Sequence, residues 1–405
     1  MNDTDFLIIG GGISAYSAGK KIRRLRPNDR VTMVTSDSLP PYDLPALSKE
    51  FLRGEKSRAE LIYPSSGLDG VEIITSTPIC ALDVNQRKVQ FTDGSALKYS
   101  TALIATGASP TRLHVPGADL KGVFYLRTAA DAATISNAAI RGGRVVVVGA
   151  GFIGLEIAAS LNIMGCDVTI IEAMDRIWPR FADVNVSTVV RKECEERGIR
   201  MVLGETVAEI VGKTTVTAVS TASGKIIPTD FVIVGIGITP NVDLARSAGI
   251  DVNDGIVVGS DMRTSVSSVY AAGDVANYFD PYAGRRMRGE HWGHAEYCGQ
   301  LAATNMCGGT AKYDFMNYAW SDVFNLHIES TGHIGNYDQV VVRGLLDERK
   351  FTALYLKEGA LVAYCAVNCE PVDFATYRKL IKSRQDLRSR IAELKDPDIR
   401  ARTLI

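Results

Sequence analysis

Apolar runs cut by glycine turns set the rhythm of the chain. In DFLIIGGGISA, from Asp5, an unbroken apolar stretch reads as a buried strand. It meets three glycines and then the start of a helix. VVVVGAGFIGLEIAASL, from Val145, repeats the device. Each copy is followed by a second apolar run that ends near an acid, VTMVTSD and VTIIEA. The pattern predicts two strand–turn–helix units within one chain. A third region, GEHWGHAEYCGQLAATNM from Gly289, reads as the opening of a long helix.

Glycines at this spacing serve dinucleotide binding. The first permits a tight turn, the second lets the backbone approach a pyrophosphate, and the third position must be small so that helix and strand pack closely. The N–H groups of the helix N-terminus then face the phosphates, and an acid about 20 residues on binds a ribose. The first copy places Gly10, Gly12 and Ala15 in these roles, with Asp37 as the acid. The second places Gly149, Gly151 and Gly154, with Glu172. A carboxylate at the ribose repels the 2′-phosphate of NADP, which favours NADH, although Arg176 lies near enough to offset that preference. Two dinucleotide sites suggest FAD plus NADH, with hydride passing from nicotinamide to flavin.

Composition narrows the class. A chain of 405 residues is too long for one ordinary core, so two or three domains are expected. A net charge of −1 argues against a dedicated nucleic-acid binder. No apolar run reaches the ~20 residues that span a bilayer, and MNDTDFLIIGGG is too acidic and too soon broken by glycine to be a signal peptide. The 7 cysteines, an odd number, fit a reducing compartment, so a cytoplasmic location is expected. There is no C-x-x-C, and the one close pair, Cys365 and Cys369, has neither zinc nor redox spacing; no metal site is expected.

The motifs PYDLPALSK, LIATGASPTRL, GAGFIGLE, GIGITPNVDLA, VYAAGDVA, GEHWGHA and WSD extend over nearly the whole chain. Together they resemble the FAD-dependent NADH:ferredoxin reductases, the family of rubredoxin and putidaredoxin reductases and of the reductase components of Rieske dioxygenases. Apoptosis-inducing factor is a more distant likeness. The resemblance implies an α/β fold with two Rossmann-like dinucleotide-binding domains, glutathione-reductase-like, plus a C-terminal α/β domain. The FAD domain would be discontinuous, 1–109 and 241–318, with an NADH domain at 110–240 and a C-terminal interface domain at 319–405.

The resemblance also implies roles. Asp274 would bind the ribityl chain of FAD, or else cap a helix before VANY. Thr106 and Gly107 would pass close to FAD, and Arg127 would be a flavin contact or an ordinary surface arginine. Lys49 would sit at the reacting edge of the flavin, oriented by Glu156 across the domain boundary; the alternative is a surface lysine after a capping Ser48. Glu290, His291 and Trp292 would line the flavin site, as would Trp320 of WSD, the tryptophans otherwise serving as interface packing. Phe152 would be a gate over the nicotinamide pocket or part of the core.

Several positions depart from the family pattern. Leu44 stands where the family has an arginine that helps hold FAD, with Arg112 able to compensate. Cys298 replaces a glutamine, His294 an asparagine, and VF follows WSD in place of QY. No cysteine pair lies near Lys49, so electrons are expected to leave to an external one-electron acceptor, a small [2Fe–2S] ferredoxin or a rubredoxin. That carrier would feed a cytochrome P450 or a Rieske oxygenase. Arg285, Arg286 and Arg288, placed near the flavin helix, would meet an acidic partner, as would the basic segment YRKLIKSRQDLRSR unless it is simply a solvated helix face. An oxidase or disulfide reductase working through Cys298, and a signalling role like that of apoptosis-inducing factor, are the alternatives.

Overall fold

The computed structural model describes residues 3–140, 142–179, 181–335 and 337–404. It divides into two compact units. One comprises the residues up to Ala46, Lys56–Ser109 and Ile238–Asn317; the other comprises Leu47–Glu55, Pro110–Gly237 and the residues from Tyr318 onward.

The first unit is built around the strand Thr4–Ile9. It pairs in parallel with Val31–Val34 on one side and with Ala96–Ile104 on the other, so that Ile9 lies level with both Val34 and Ile104. Val71–Ile74 extends the sheet beyond Val31–Val34, and Val269–Ala271 runs parallel to the end of Ala96–Ile104. Leu7, Ile8, Leu103 and Ile104 are fully buried, as unbroken apolar runs require when helices cover a sheet. The first fingerprint helix, Ile13–Leu25, lies against the helix Trp292–Met306. A Cβ on Gly299 would come within 2.2 Å of the Ser14 carbonyl oxygen, so that approach depends on glycine.

The second unit holds three sheets among the described residues, the smallest being the antiparallel set Val207–Gly212, Val216–Thr221 and Ile226–Pro228. Gly143–Val148 is central to a parallel sheet, flanked by Cys166–Glu172 and Phe231–Val234, with Arg200–Leu203 and Val123–Phe124 at the edges. The second fingerprint helix, Phe152–Ile163, follows the central strand. A second, antiparallel sheet has the order Tyr318–Val323, Leu326–Gly332, Ala360–Val367, Lys350–Lys357, Gln339–Leu345. The helix Phe374–Ser383 packs on Ala360–Val367. Among the described residues, no helix is long and apolar enough to cross a membrane.

Candidate active site

Both glycine turns have the form the spacing predicts. Gly10 and Gly149 adopt φ of +134° and +98°, and a Cβ at either would strike a carbonyl oxygen, that of Ala105 at 2.1 Å or of Gly235 at 2.4 Å. A Cβ at Gly154 would lie 2.1 Å from the Gly149 carbonyl oxygen, so the third position is held small by packing within its own unit. Gly12 and Gly151 differ: a Cβ at either meets nothing within 4 Å. These two are also the N-caps of their helices, and neither helix has a side-chain cap. Each helix therefore begins without a capping side chain and with open space where one would stand, which suits a pyrophosphate. The residues fit FAD at one turn and NADH at the other.

The two acids are placed differently. Glu172 ends its strand; Ile171 pairs with Val148, so Glu172 stands level with the glycine turn. Its carboxylate accepts from the N–H of Ala150 at 2.6 Å and from that of Met174 at 2.9 Å. In the other unit, Val34 pairs with Ile9, which brings Thr35 to the equivalent level and leaves Asp37 two residues beyond. The Asp37 carboxylate accepts from the Tyr42 hydroxyl at 2.7 Å and from the N–H of Leu39 at 3.2 Å. Arg176 donates to the carbonyls of Ala182 and Pro179 and to Ser187, so its guanidinium is engaged within its own loop.

Elsewhere in the first unit, the ATG turn is fixed by Asn241. Thr106 Oγ1 donates to the Asn241 carbonyl at 2.9 Å, Asn241 Nδ2 donates back to the Thr106 carbonyl at 2.8 Å, and Gly107 takes φ +62°. Asp274 lies in the short 3-10 turn Gly273–Val275, and VANY opens the strand Ala276–Asp280, so Asp274 caps no helix there. His291 is the N-cap of Trp292–Met306, without a side-chain cap bond. Trp292 Nε1 donates to the Tyr63 hydroxyl at 2.9 Å. Glu290 is paired with Arg288 at 2.8 Å.

The arginine cluster is largely spent internally. Arg288 also pairs with Asp254 at 3.0 Å, and Arg286 donates to the carbonyls of Val258 and Asn277, both at 3.0 Å. Of the three, Arg285 is exposed and makes no side-chain hydrogen bond or ion pair among the described residues. Cys298 is fully buried with its sulfur 3.4 Å from His294 Nε2, and burial pushes its thiol pKa up. Burial holds His294 neutral, with a pKa lowered to about 3. A neutral, enclosed thiol is a poor nucleophile, which counts against the route through Cys298.

In the second unit, Lys49 and Glu156 meet. Lys49 Nζ lies 3.2 Å from Glu156 Oε1 and 3.2 Å from Asp322 Oδ2. The segment carrying the lysine belongs to the same compact unit as Glu156, so this pair forms within one unit rather than across a boundary. Glu156 also accepts from the hydroxyls of Ser48 at 2.6 Å and Ser321 at 2.7 Å. Burial works against the Lys49 charge, but Glu156 and Asp322 outweigh it and raise the lysine's pKa. Burial likewise raises the Glu156 carboxyl, against the pull of the ammonium and the two hydroxyls. At its other oxygen Asp322 meets His327 Nδ1 at 2.6 Å. Asp322 and His327 are direct cross-strand partners of one hairpin, as are Trp320 and Glu329. Trp320 and Asp322, two apart on one strand, therefore share a sheet face with His327 and Glu329.

The remaining candidates also lie in this unit. Phe152 opens the second fingerprint helix with its ring 4.1 Å from Phe181 and 5.1 Å from Trp178. It is half-buried, compatible with either packing or a gate. The backbone of Arg127 donates to Asp131 at 3.1 Å, just ahead of the helix Ala129–Ala139. Arg112 stacks over the Tyr125 ring at 4.2 Å. Sequence reading missed Ser48 and Ser321 as ligands of Glu156, and missed Asp322 and His327 entirely. The adjacency of Ser48 to Lys49, and of Ser321 and Asp322 within WSD, was the available signal.

The geometry agrees with comparisons to known proteins. A family model described as pyridine nucleotide-disulphide oxidoreductase matches residues 4–299, and one described as reductase C-terminal matches 318–405. The chain is 34% identical, over 98% of each chain, to the 5,5′-dehydrodivanillate O-demethylase ferredoxin reductase subunit of Sphingobium sp. strain SYK-6. It superposes with a TM-score of 0.94 on the ferredoxin reductase for the CYP199A2 system of Rhodopseudomonas palustris, at 30% identity and 99% coverage of both chains. The reductase in a covalent putidaredoxin reductase–putidaredoxin complex gives a TM-score of 0.93 at 28% identity, covering 100% of this chain and 98% of that one. The chain belongs to the pyridine nucleotide-disulphide oxidoreductase family and is an NADH-dependent, FAD-containing oxidoreductase of the ferredoxin-reductase type.

Proposed function

We propose that this protein takes two electrons from NADH as hydride and releases them singly to a small [2Fe–2S] ferredoxin, or to a rubredoxin, that serves a cytochrome P450 or a Rieske oxygenase. The observation that carries this reading is the pair of open, uncapped fingerprint helices together with a buried Lys49–Glu156 pair and a Cys298 thiol that burial keeps neutral. FAD, when bound, supplies hydride acceptance and one-electron release.

The chain's own residues bind, orient and screen. Gly10, Gly12 and Ala15 open the first cradle for the FAD pyrophosphate, with Thr106, Gly107 and Asp274 along the rest of that cofactor. Gly149, Gly151 and Gly154 do the same for NADH, and Glu172 holds its ribose. With one backbone N–H on each of its oxygens, the Glu172 carboxylate keeps lone pairs free to accept from a ribose hydroxyl. Lys49 presents its ammonium to the flavin, where a fixed positive charge favours the gain of negative charge. Arg127, Glu290, His291, Trp292 and Trp320 complete the flavin environment, and Phe152 screens the nicotinamide position. We assign residues 1–109 and 241–318 to FAD, 110–240 to NADH and 319–405 to an interface domain; the breaks between compact units at Ser109/Pro110 and Gly237/Ile238 and the start of the C-terminal family match at 318 support these limits, with Leu47–Glu55 of the FAD segment belonging to the second unit. Seven cysteines, all present as thiols, support a cytoplasmic location.

Anaerobic stopped-flow tests the reading. Protein reduced with NADH is mixed with oxidised [2Fe–2S] ferredoxins while flavin and iron–sulfur absorbance are followed. Fast, salt-sensitive transfer to one ferredoxin is expected. Flavin that reduces quickly but reoxidises only with oxygen or a disulfide would overturn the reading in favour of an oxidase or disulfide reductase.

A further inference from the structure

The Lys49–Glu156 pair continues outward. Glu156 is a closed end, its oxygens taken by Ser48, Ser321 and Lys49. Asp322 is an open one: its side chain is 41% exposed, and the His327 side chain bonded to it is 52% exposed, against 10% for Lys49. A line of contacts therefore runs from a buried ammonium through a carboxylate to an imidazole in water.

We propose that Asp322 and His327 are positioning residues for Lys49, and that His327 takes up a proton from solvent when the flavin site gains negative charge and returns it when that charge leaves. This rests on the reading that Lys49 presents its ammonium to the flavin.

The charges give the reason. With His327 neutral, Glu156, Lys49 and Asp322 sum to −1; with His327 protonated the four groups sum to zero. The Lys49 ammonium is then opposed by one less uncompensated carboxylate. Negative charge arriving at the flavin therefore favours protonated His327, and protonated His327 favours that charge, by reciprocal linkage. The imidazole is poised for this exchange. The Asp322 hydrogen bond raises its pKa above the ordinary value, Glu329 on its own strand adds to the effect, and Lys49 opposes it. Glu329 is in turn faced by Arg378 and by the Tyr364 hydroxyl, which moderate its charge. Just past the strand Ala360–Val367, Asn368 meets the backbone of His327: its amide oxygen accepts from the backbone N–H of His327 at 2.8 Å, and its own backbone N–H donates to the His327 carbonyl at 2.8 Å. The overall reaction stays balanced: NADH plus two oxidised one-electron carriers give NAD⁺, a proton and two reduced carriers. The His327 proton is taken up and released within each cycle and cancels from the sum.

The test measures the flavin midpoint potential of the FAD-loaded protein against pH, for wild type, His327→Gln and Lys49→Met. The His327 imidazole is also followed by NMR in the oxidised and reduced protein. In wild type the potential should fall more steeply with pH over the one or two pH units around the His327 pKa, and that pKa should rise on reduction. His327→Gln should remove the extra steepness while keeping the absorbance of bound flavin. Equal slopes in wild type and His327→Gln, with one His327 pKa in both redox states, would overturn the proposal. Lys49→Met separates the two levels. If it shifts the potential while His327→Gln does not, only the role of His327 fails; if it too leaves the potential unchanged, the placing of Lys49 at the flavin fails with it.

Discussion

Lys49 and Glu156 are both nearly inaccessible, at 8% and 5% exposure, so removing either strands the other. Lys49→Met leaves a buried carboxylate with only two hydroxyl donors, and a broken pair of this kind costs about 3 kcal/mol or more. Glu156 can relieve that cost by taking a proton, since burial already raises its pKa. For an acid raised in the folded state, stability is fully present below its unfolded value near 4.5 and is lost as pH rises through the folded value. The gap in melting temperature between wild type and Lys49→Met should therefore widen as pH rises from about 4.5, and the double variant Lys49→Met, Glu156→Gln should regain most of the loss. Thermal denaturation across pH checks both. The His327–Asp322 pair behaves differently. Asp322 is pushed up by burial but brought below its usual 3.8 by His327 and Lys49, so its contribution is present above 3.8 and lost as pH falls through its folded value. The contribution of His327, raised above 6.5, is complete below that value and lost as pH rises through its folded one. Wild type should thus exceed His327→Gln in stability mainly between roughly pH 4 and 6.5, with the two curves converging on the alkaline side.

At the scale of elements, the fingerprint helices separate packing from binding. Gly154→Val drives a side chain onto the Gly149 carbonyl and should cost on the order of 1–3 kcal/mol or more, read as a lower melting temperature. Gly151→Val points into open space from a backbone at φ −73°, which any residue adopts. It should change stability by about 1 kcal/mol at most and keep the flavin spectrum, yet sharply raise the NADH concentration needed for half-maximal flavin reduction in anaerobic stopped-flow. These roles were legible in the sequence because a turn, a cap and a close contact within about 25 residues are local. That the apolar runs form buried strands was legible for the same reason, whereas their pairing with distant strands such as Ala96–Ile104 and Phe231–Val234 was not. What was not legible depends on distance or register. Ser321 lies 165 positions from the Glu156 it bonds. Asp322 and His327 meet only because a hairpin sets them opposite each other. Thr35, not Asp37, is level with Gly10 because the strand Val31–Val34 ends earlier than its acid suggests. VANY, next to an acid after glycine, has the look of a capped helix, but it pairs as a strand with Arg285–Met287 and Ile256–Val257.

For the molecule as a whole, a net charge of −1 supplies no general attraction to an acidic carrier, so steering must come from local charge. Sequence alone counts every arginine equally; the structure does not. Arg388 and Arg390 face Asp386 and Glu393, and Arg288 faces Asp254 and Glu290, so each is neutralised by its neighbours. Arg286 is tied to two backbone carbonyls and contributes to holding its strand. Arg285, exposed on the same strand and opposite Asp280, is the member of the cluster left to act outward. Rim charges act chiefly on association rates, and their effect is screened by salt. Arg285→Gln should therefore slow electron transfer to the ferredoxin about two- to fivefold at low ionic strength. The difference should vanish at high salt, with melting temperature unchanged. Arg286→Gln should do the reverse, costing about 1–2 kcal/mol of stability through its lost carbonyl bonds while leaving the salt dependence of transfer close to wild type. Second-order rate constants measured over a salt series, beside thermal denaturation of both variants, decide the matter: equal salt slopes for wild type and Arg285→Gln would remove this strand from the docking surface.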